Sequence, residues 1–258
     1  MRMPESVGVY AILAVAAFVA GAMNAVAGGG TLLTFPALMS IGLPATFANA
    51  TSTVALLPGS FAGAWGYRKE LRESRRFARR MLPVSLVGGT FGALLIVMYP
   101  DQFQSLVPWL ILVAAILFLL QVPLQRLLKQ QQGHTIEPSA QLGFALIGFQ
   151  FLIATYGGYF GAGIGILMLT SLGFMGIGDI HKVNAVKTFL ASAINAVSVV
   201  VFLWENLIRW DCVMAMVVPA ILGGYYGARV ARKLPATYVR WTVIAIGFSM
   251  AAYYFTRA

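Results

Sequence analysis

Along this chain long apolar runs alternate with short polar ones. Runs such as Val7 to Ala27 and Val183 to Trp204 are close to the ~20 residues an α-helix needs to cross the hydrocarbon core of a bilayer. The pattern predicts ten apolar segments, at about 6–27, 30–43, 46–67, 81–99, 105–125, 139–160, 163–177, 183–204, 212–231 and 238–255. The second and seventh are too short to cross comfortably, and each follows a glycine cluster, AVAGGGTLL (Ala25 to Leu33) and YGGYFGAGIGIL (Tyr156 to Leu167). Each short segment either crosses or pairs with the one before it as a re-entrant hairpin with its glycine tip near the midplane. The hairpin is favoured, because non-helical backbone at membrane depth is tolerated only where protein buries it or it lines a wet cavity.

Shifting the sequence by 135 positions superimposes Gly28 on Gly163, Gly30 on Gly165, Asn49 and Ala50 on Asn184 and Ala185, and Thr53 on Thr188. Gly88, Gly89 and Gly92 fall on Gly223, Gly224 and Gly227, whereas Pro83 meets Pro219 only at a shift of 136 and Pro36 has Ser171 opposite. The fold expected is therefore an all-α integral membrane protein, one domain over 1–258, with repeat 1 at about 6–125, a cytoplasmic linker at 126–138 and repeat 2 at about 139–258. Five segments per half is an odd number, so the second copy enters the membrane upside down. Inverted-topology repeats place a site near the midplane where broken helices meet and permit alternating access.

Composition agrees with this reading: 59% of residues are hydrophobic and 10% charged, too few charges for a water-exposed surface. A net charge of +10 would point to nucleic acid in a soluble protein, but here the basic residues cluster in short loops. The segment RKELRESRRFARR, Arg68 to Arg80, carries seven basic and two acidic residues and is expected in the cytoplasm. Counting from it, PDQFQ (Pro100 to Gln104) and ENLIRWD (Glu205 to Asp211) fall outside, as do both termini, and fourteen of the 18 basic residues fall inside. The apolar stretch after Arg2 is expected to be a retained first helix rather than a cleaved signal.

Polar residues inside the spans are the candidates for chemistry. At 100° per residue Asn49, Ser52, Thr53 and Ser60 share one helix face, and their counterparts Asn184, Lys187, Thr188 and Asn195 share the matching face. Such residues commonly glue helices together at about 0.6 kcal/mol each. Two asparagines in corresponding places fit a site better than independent glue. Lys187 is the charged residue well inside a span, and with Asp179 as N-cap it lies roughly 12 Å along its helix, as an electrostatic anchor for an anion or snorkelling to the interface. The short helices after Gly28, Gly29 and Gly30 and after Gly163 and Gly165 would offer backbone N–H groups and a dipole that attract anions. Gly88, Gly89, Gly92, Gly223, Gly224 and Gly227 read as small-residue packing motifs.

Nothing here supports catalysis: His134 and His181 lie in or beside loops, and no nucleophile with a base sits in a span. The single cysteine, Cys212, excludes an internal disulfide and a Cys-rich metal site, and no cofactor or metal is expected. No span carries an interior Asp or Glu, so a carboxylate proton relay is absent from this reading.

The stretches AGGGTLLTFPALMSIGLPATFANATSTVALLPG (Ala27 to Gly59), GYRKEL (Gly66 to Leu71), HKVNAVKTFLASAINA (His181 to Ala196) and GGYYGARVARKL (Gly223 to Leu234) resemble the TauE/SafE-type sulfite exporters, also called toluene sulfonate uptake permeases. The resemblance covers nearly the whole chain. It implies movement of sulfite or organosulfonates such as sulfoacetate across a bacterial inner membrane, usually as export. The alternative reading is an anion channel with the same lining, and a third is an intramembrane enzyme or assembly factor. The expected partners are a small anionic substrate and the lipid bilayer, with a homodimer as a compatible assembly and no role for nucleic acid.

Overall fold

The computed structural model describes residues 7–26, 29–130, 140–174, 180–230 and 236–256. Among them the chain is helical throughout: α1 (Val7–Val26), α2 (Thr31–Ser40), α3 (Ala45–Gly66), α4 (Arg68–Glu73), α5 (Arg75–Met98), α6 (Pro100–Gln130), α7 (Ala140–Tyr159), α8 (Ile164–Phe174), α9 (Ile180–Trp204), α10 (Trp210–Val230) and α11 (Ala236–Phe255). The ten expected segments are all helices. The addition is α4, which lies in the basic stretch expected to be a loop. Its sequence RKELRE has no apolar run to mark a span, yet every residue in it is a good helix former. A second adjustment concerns the linker at 126–138, because α6 stays helical to Gln130. Residues 131–139, Gly28 and the candidate N-cap Asp179 lie outside the described residues.

Among the described residues three helices are long and apolar enough to cross a membrane, Arg75–Met98, Pro100–Pro123 and His181–Trp204, and shorter apolar helices accompany them. The surface matches. Ile12, Val15, Val87, Phe91, Trp109, Leu152, Val200, Met214 and Val218 are all exposed, while Asn49, Ser52, Ser85, Gln150 and Ser171 are buried. This arrangement suits hydrocarbon outside and polar groups within. The ten residues of α2 rise ~15 Å, about half of a ~30 Å hydrocarbon core. Its eleven-residue counterpart α8 is scarcely longer.

Glycines set the closest helix pairs. A Cβ at Gly92 or Gly158 would overlap a carbonyl oxygen across the α5–α7 contact, of Thr155 and Gly89 respectively, and one at Gly88 would sit 2.8 Å from the Phe151 oxygen. In the α1–α10 contact Gly21 and Gly223 meet the carbonyls of Ala220 and Phe18 in the same way. Helices in a bilayer gain little by hiding apolar surface from each other, so close backbone approach through small residues supplies the attraction instead. The packing reading of Gly88, Gly92 and Gly223 therefore holds. At the centre α3 packs on α9, and α6 runs antiparallel to α11, with Trp109 edge-on to Phe255 and Ala115 against Gly247.

Two buried apolar clusters complete the interior. The larger joins α1, α2, α3, α5, α6, α9, α10 and α11 and the turn after α7, with Phe35, Phe103 and Phe160 ring against ring and Phe118 fully buried nearby. The smaller joins α5, α7, α8 and α9 around Met168, Leu172, Leu190 and Ile194.

Candidate functional site

Both helix breaks require glycine. Gly29 has φ +91° and Gly163 has φ +79°, a left-handed conformation that costs a residue with a Cβ about 1 kcal/mol or more. Their outer faces are occupied. A Cβ on Gly29 would overlap the Phe118 ring, and one on Gly163 would lie 3.2 Å from Leu117. Both glycine tips thus abut the 114–118 stretch of α6. Gly30 packs on α1, where a Cβ would lie 2.5 Å from the Ala20 oxygen, and its N–H donates to Asn24 Oδ1 at 2.8 Å. The Gly30 amide, expected to be open to an anion, is instead capped from within the chain, because Asn24 lies in the last turn of α1 and reaches across the break. At the second tip the Tyr156 hydroxyl donates to the Ala162 carbonyl at 2.7 Å, and Gly165 is buried in the first turn of α8.

The α3 residues form one polar cluster. Asn49 is buried; its Nδ2 donates to the Tyr159 carbonyl at 3.4 Å, while its Oδ1 has no partner among the described residues. Because Tyr159 presents an acceptor, the amide nitrogen must face it and the oxygen must face away. Thr53 Oγ1 donates back to the Asn49 carbonyl at 2.8 Å, and Ser52 shares a hydrogen bond with Thr34, tying α3 to α2. Ser52 is thereby satisfied as interhelical glue. Ser60 donates to its own helix at Leu56, at 3.2 Å.

The α9 residues form a second cluster. Lys187 Nζ donates to Asn184 Oδ1 at 3.0 Å, and Thr188 Oγ1 donates to the Asn184 carbonyl at 2.8 Å. With α9 starting at Ile180, Lys187 lies ~10 Å along the axis and only partly buried. Among the described residues no carboxylate pairs with it, since the ion pairs are Lys182–Glu73 at 2.9 Å and Arg209–Asp211 at 2.8 Å.

The two clusters do not share one spot. Thr188 faces Gly63 across the α3–α9 contact, and Ser52 lies eleven residues before Gly63, toward the start of α3, a rise of ~16 Å. Expected as one midplane site, the six side chains are two triads, Asn49/Ser52/Thr53 and Asn184/Lys187/Thr188, toward opposite ends of a helix pair. Residues that the sequence reading missed are Asn24, Thr34, Tyr159 and Phe118. A shift of 135 lays Asn24 on Tyr159, but Tyr159 acts through its backbone carbonyl, which any residue would supply, so the match gave no chemical signal.

The sulfite exporter TauE/SafE family model matches residues 13–254. A probable membrane transporter protein of Haemophilus influenzae is 29% identical over 97% of this chain and 96% of its own length. One from a Sinorhizobium species, called ORF9, is 28% identical over 93% and 90%, and YfcA of Escherichia coli K12, also a probable membrane transporter protein, is 26% identical over 93% and 87%. No solved structure matches the chain. With exposed apolar helices, polar clusters inside and a family match over nearly its whole length, this chain is a multi-pass membrane transporter belonging to the TauE/SafE sulfite exporter family.

Proposed function

We propose that the protein carries small sulfur-containing anions, sulfite or organosulfonates such as sulfoacetate, out of the cell across a bacterial inner membrane by alternating access. The observation that carries this reading is the cation-bearing triad on α9. Lys187 is an ammonium without a carboxylate partner among the described residues, on a helix whose cytoplasmic end the basic-loop count assigns. A partly buried cation within a membrane-spanning helix is stabilised when a negative group joins it, so the triad is suited to load an anion from the cytoplasmic side.

Support for the inverted repeat comes from which helices pack together. Exchanging the halves turns α1–α10 into α7–α5, α2–α3 into α8–α9, α3–α10 into α9–α5 and α2–α11 into α8–α6, while α3–α9 and α6–α11 map onto themselves; each of these pairs is in contact. The meeting of both glycine tips on α6 supports re-entrant hairpins that end within the membrane.

The decisive experiment is flux into liposomes containing purified protein, with sulfite, sulfoacetate, thiosulfate and chloride compared. Saturable flux of the sulfur anions with counterflow is expected. Equal chloride flux would remove the substrate class, and non-saturating flux without counterflow would favour the channel.

A further inference from the structure

The lipid-facing side of α5 is a single exposed stripe. Pro83, Val87, Phe91, Leu94 and Met98 recur at the spacing of one helix face, and all are exposed. The same stripe continues one and two turns toward the helix start through Arg80 and Arg76, both exposed. Arg79 and Arg75 flank it, also exposed, and no carboxylate forms an ion pair with any of the four among the described residues. From Arg80 to Met98 the axis rises ~27 Å, close to the ~30 Å of a hydrocarbon core. Arg80 therefore stands at headgroup level when Met98 reaches the opposite interface. At the same end Trp65, 72% exposed, lies under the Arg68 guanidinium at 5.7 Å, an aromatic anchor of the kind that sits among headgroups.

Orientation by basic loops requires only that positive charge lie on the cytoplasmic side, and any face of α4 or α5 would satisfy it. Placement on the lipid-facing stripe is a further property. The repeat does not demand it either, because a shift of 135 puts Asp211 opposite Arg76 and Ala215 opposite Arg80 on α10. Guanidinium groups bind phosphate oxygens with matched two-pronged geometry, and Arg80 to Phe91 rises ~16 Å, the depth of one leaflet.

We propose that the basic end of α5 is a docking site for an anionic phospholipid, its phosphate against Arg76 and Arg80 and an acyl chain along Pro83, Val87 and Phe91. The site is separate from the transport path and does not rest on the substrate proposed above.

The test is native mass spectrometry of delipidated protein titrated with phosphatidylglycerol or with phosphatidylcholine of the same chains. Wild type is expected to bind phosphatidylglycerol preferentially. Arg76→Gln/Arg80→Gln should weaken that binding about tenfold or more, the scale of basic residues at an anionic surface, and leave phosphatidylcholine binding unchanged. Arg76→Lys/Arg80→Lys should keep only part of the preference, because the charge survives and the two-pronged geometry does not, and the single Arg76→Glu should lose it, so the outcome does not hang on one variant. Unchanged phosphatidylglycerol binding in the glutamine variant would overturn the proposal. So would displacement of the lipid by inorganic phosphate at matched concentration, which would make the arginines a site for soluble anions.

Discussion

Lys187 donates its ammonium hydrogen to Asn184 Oδ1 at 3.0 Å, one turn back on the same helix. The bond draws the side chain back along α9 toward the start of the helix and fixes where the ammonium sits. Asn184 is thus a positioning residue for the cation, and the pair behaves as one unit.

Removing the charge should therefore abolish most substrate affinity. Lys187→Ala is expected to weaken sulfite binding roughly 10- to 100-fold, the range of a charge-assisted hydrogen bond, and Lys187→Arg should retain part of it. Lys187→Met should fold at least as well as wild type, because an ammonium without a carboxylate partner contributes nothing to stability. Calorimetry on the purified variants reads the affinities; wild-type affinity in both Lys187→Ala and Lys187→Met would show that the lysine takes no part.

Topology can be read by labelling single cysteines in a Cys212→Ala background with an impermeant reagent in whole cells. Ser74 is a poor reporter because it is 8% exposed, whereas Arg72, Gln102 and Asn206 are exposed. Gln102→Cys and Asn206→Cys should label and Arg72→Cys should not. The reverse pattern would invert the chain and remove the cytoplasmic loading step with it.

Asn24→Ala should disturb transport more than folding. The substitution leaves the Gly30 N–H without its acceptor at the entry to α2, a loss of ~1 kcal/mol on the scale of helix caps. Flux should fall several-fold, with a thermal midpoint in detergent only slightly below wild type. A variant with wild-type flux would mean that the cap has no bearing on the first hairpin's function.

Gly223→Ala and Gly92→Ala should do the opposite, lowering stability by ~1–3 kcal/mol through overpacking, because each new methyl meets a rigid carbonyl of the neighbouring helix. Unaltered thermal midpoints in both would contradict the tight approach of α1 to α10 and of α5 to α7. Gly29→Val is a less informative change than the sequence alone implies. The valine would be strained at φ +91° and would strike Phe118, so lost flux could not be assigned to a lost anion contact.

The helices were legible because each span is an apolar run bounded by loop chemistry, and the breaks at Gly29 and Gly163 because glycine is the residue that a left-handed turn requires. What escaped was depth. A helical wheel puts Asn49 and Asn184 on matching faces, but it projects every residue down the axis and discards height. Both asparagines lie four residues from the start of their helices, Ala45 and Ile180, so an antiparallel α3–α9 pair sends them to opposite ends. Phe118 escaped for another reason: nothing in the spacing of α6 distinguishes the ring that meets Gly29 from its lipid-facing neighbours. The short α4 was hidden because charge counting marks a side of the membrane and says nothing of conformation.

Phe118 and Leu117 are consecutive on α6, yet one seats the first hairpin and the other the second. Consecutive residues of an α-helix project about 100° apart, so turning α6 about its own axis cannot lift Phe118 from Gly29 without changing how Leu117 meets Gly163. The two hairpins behave like the pans of a balance hung from one beam: repacking either shifts the footing of the other.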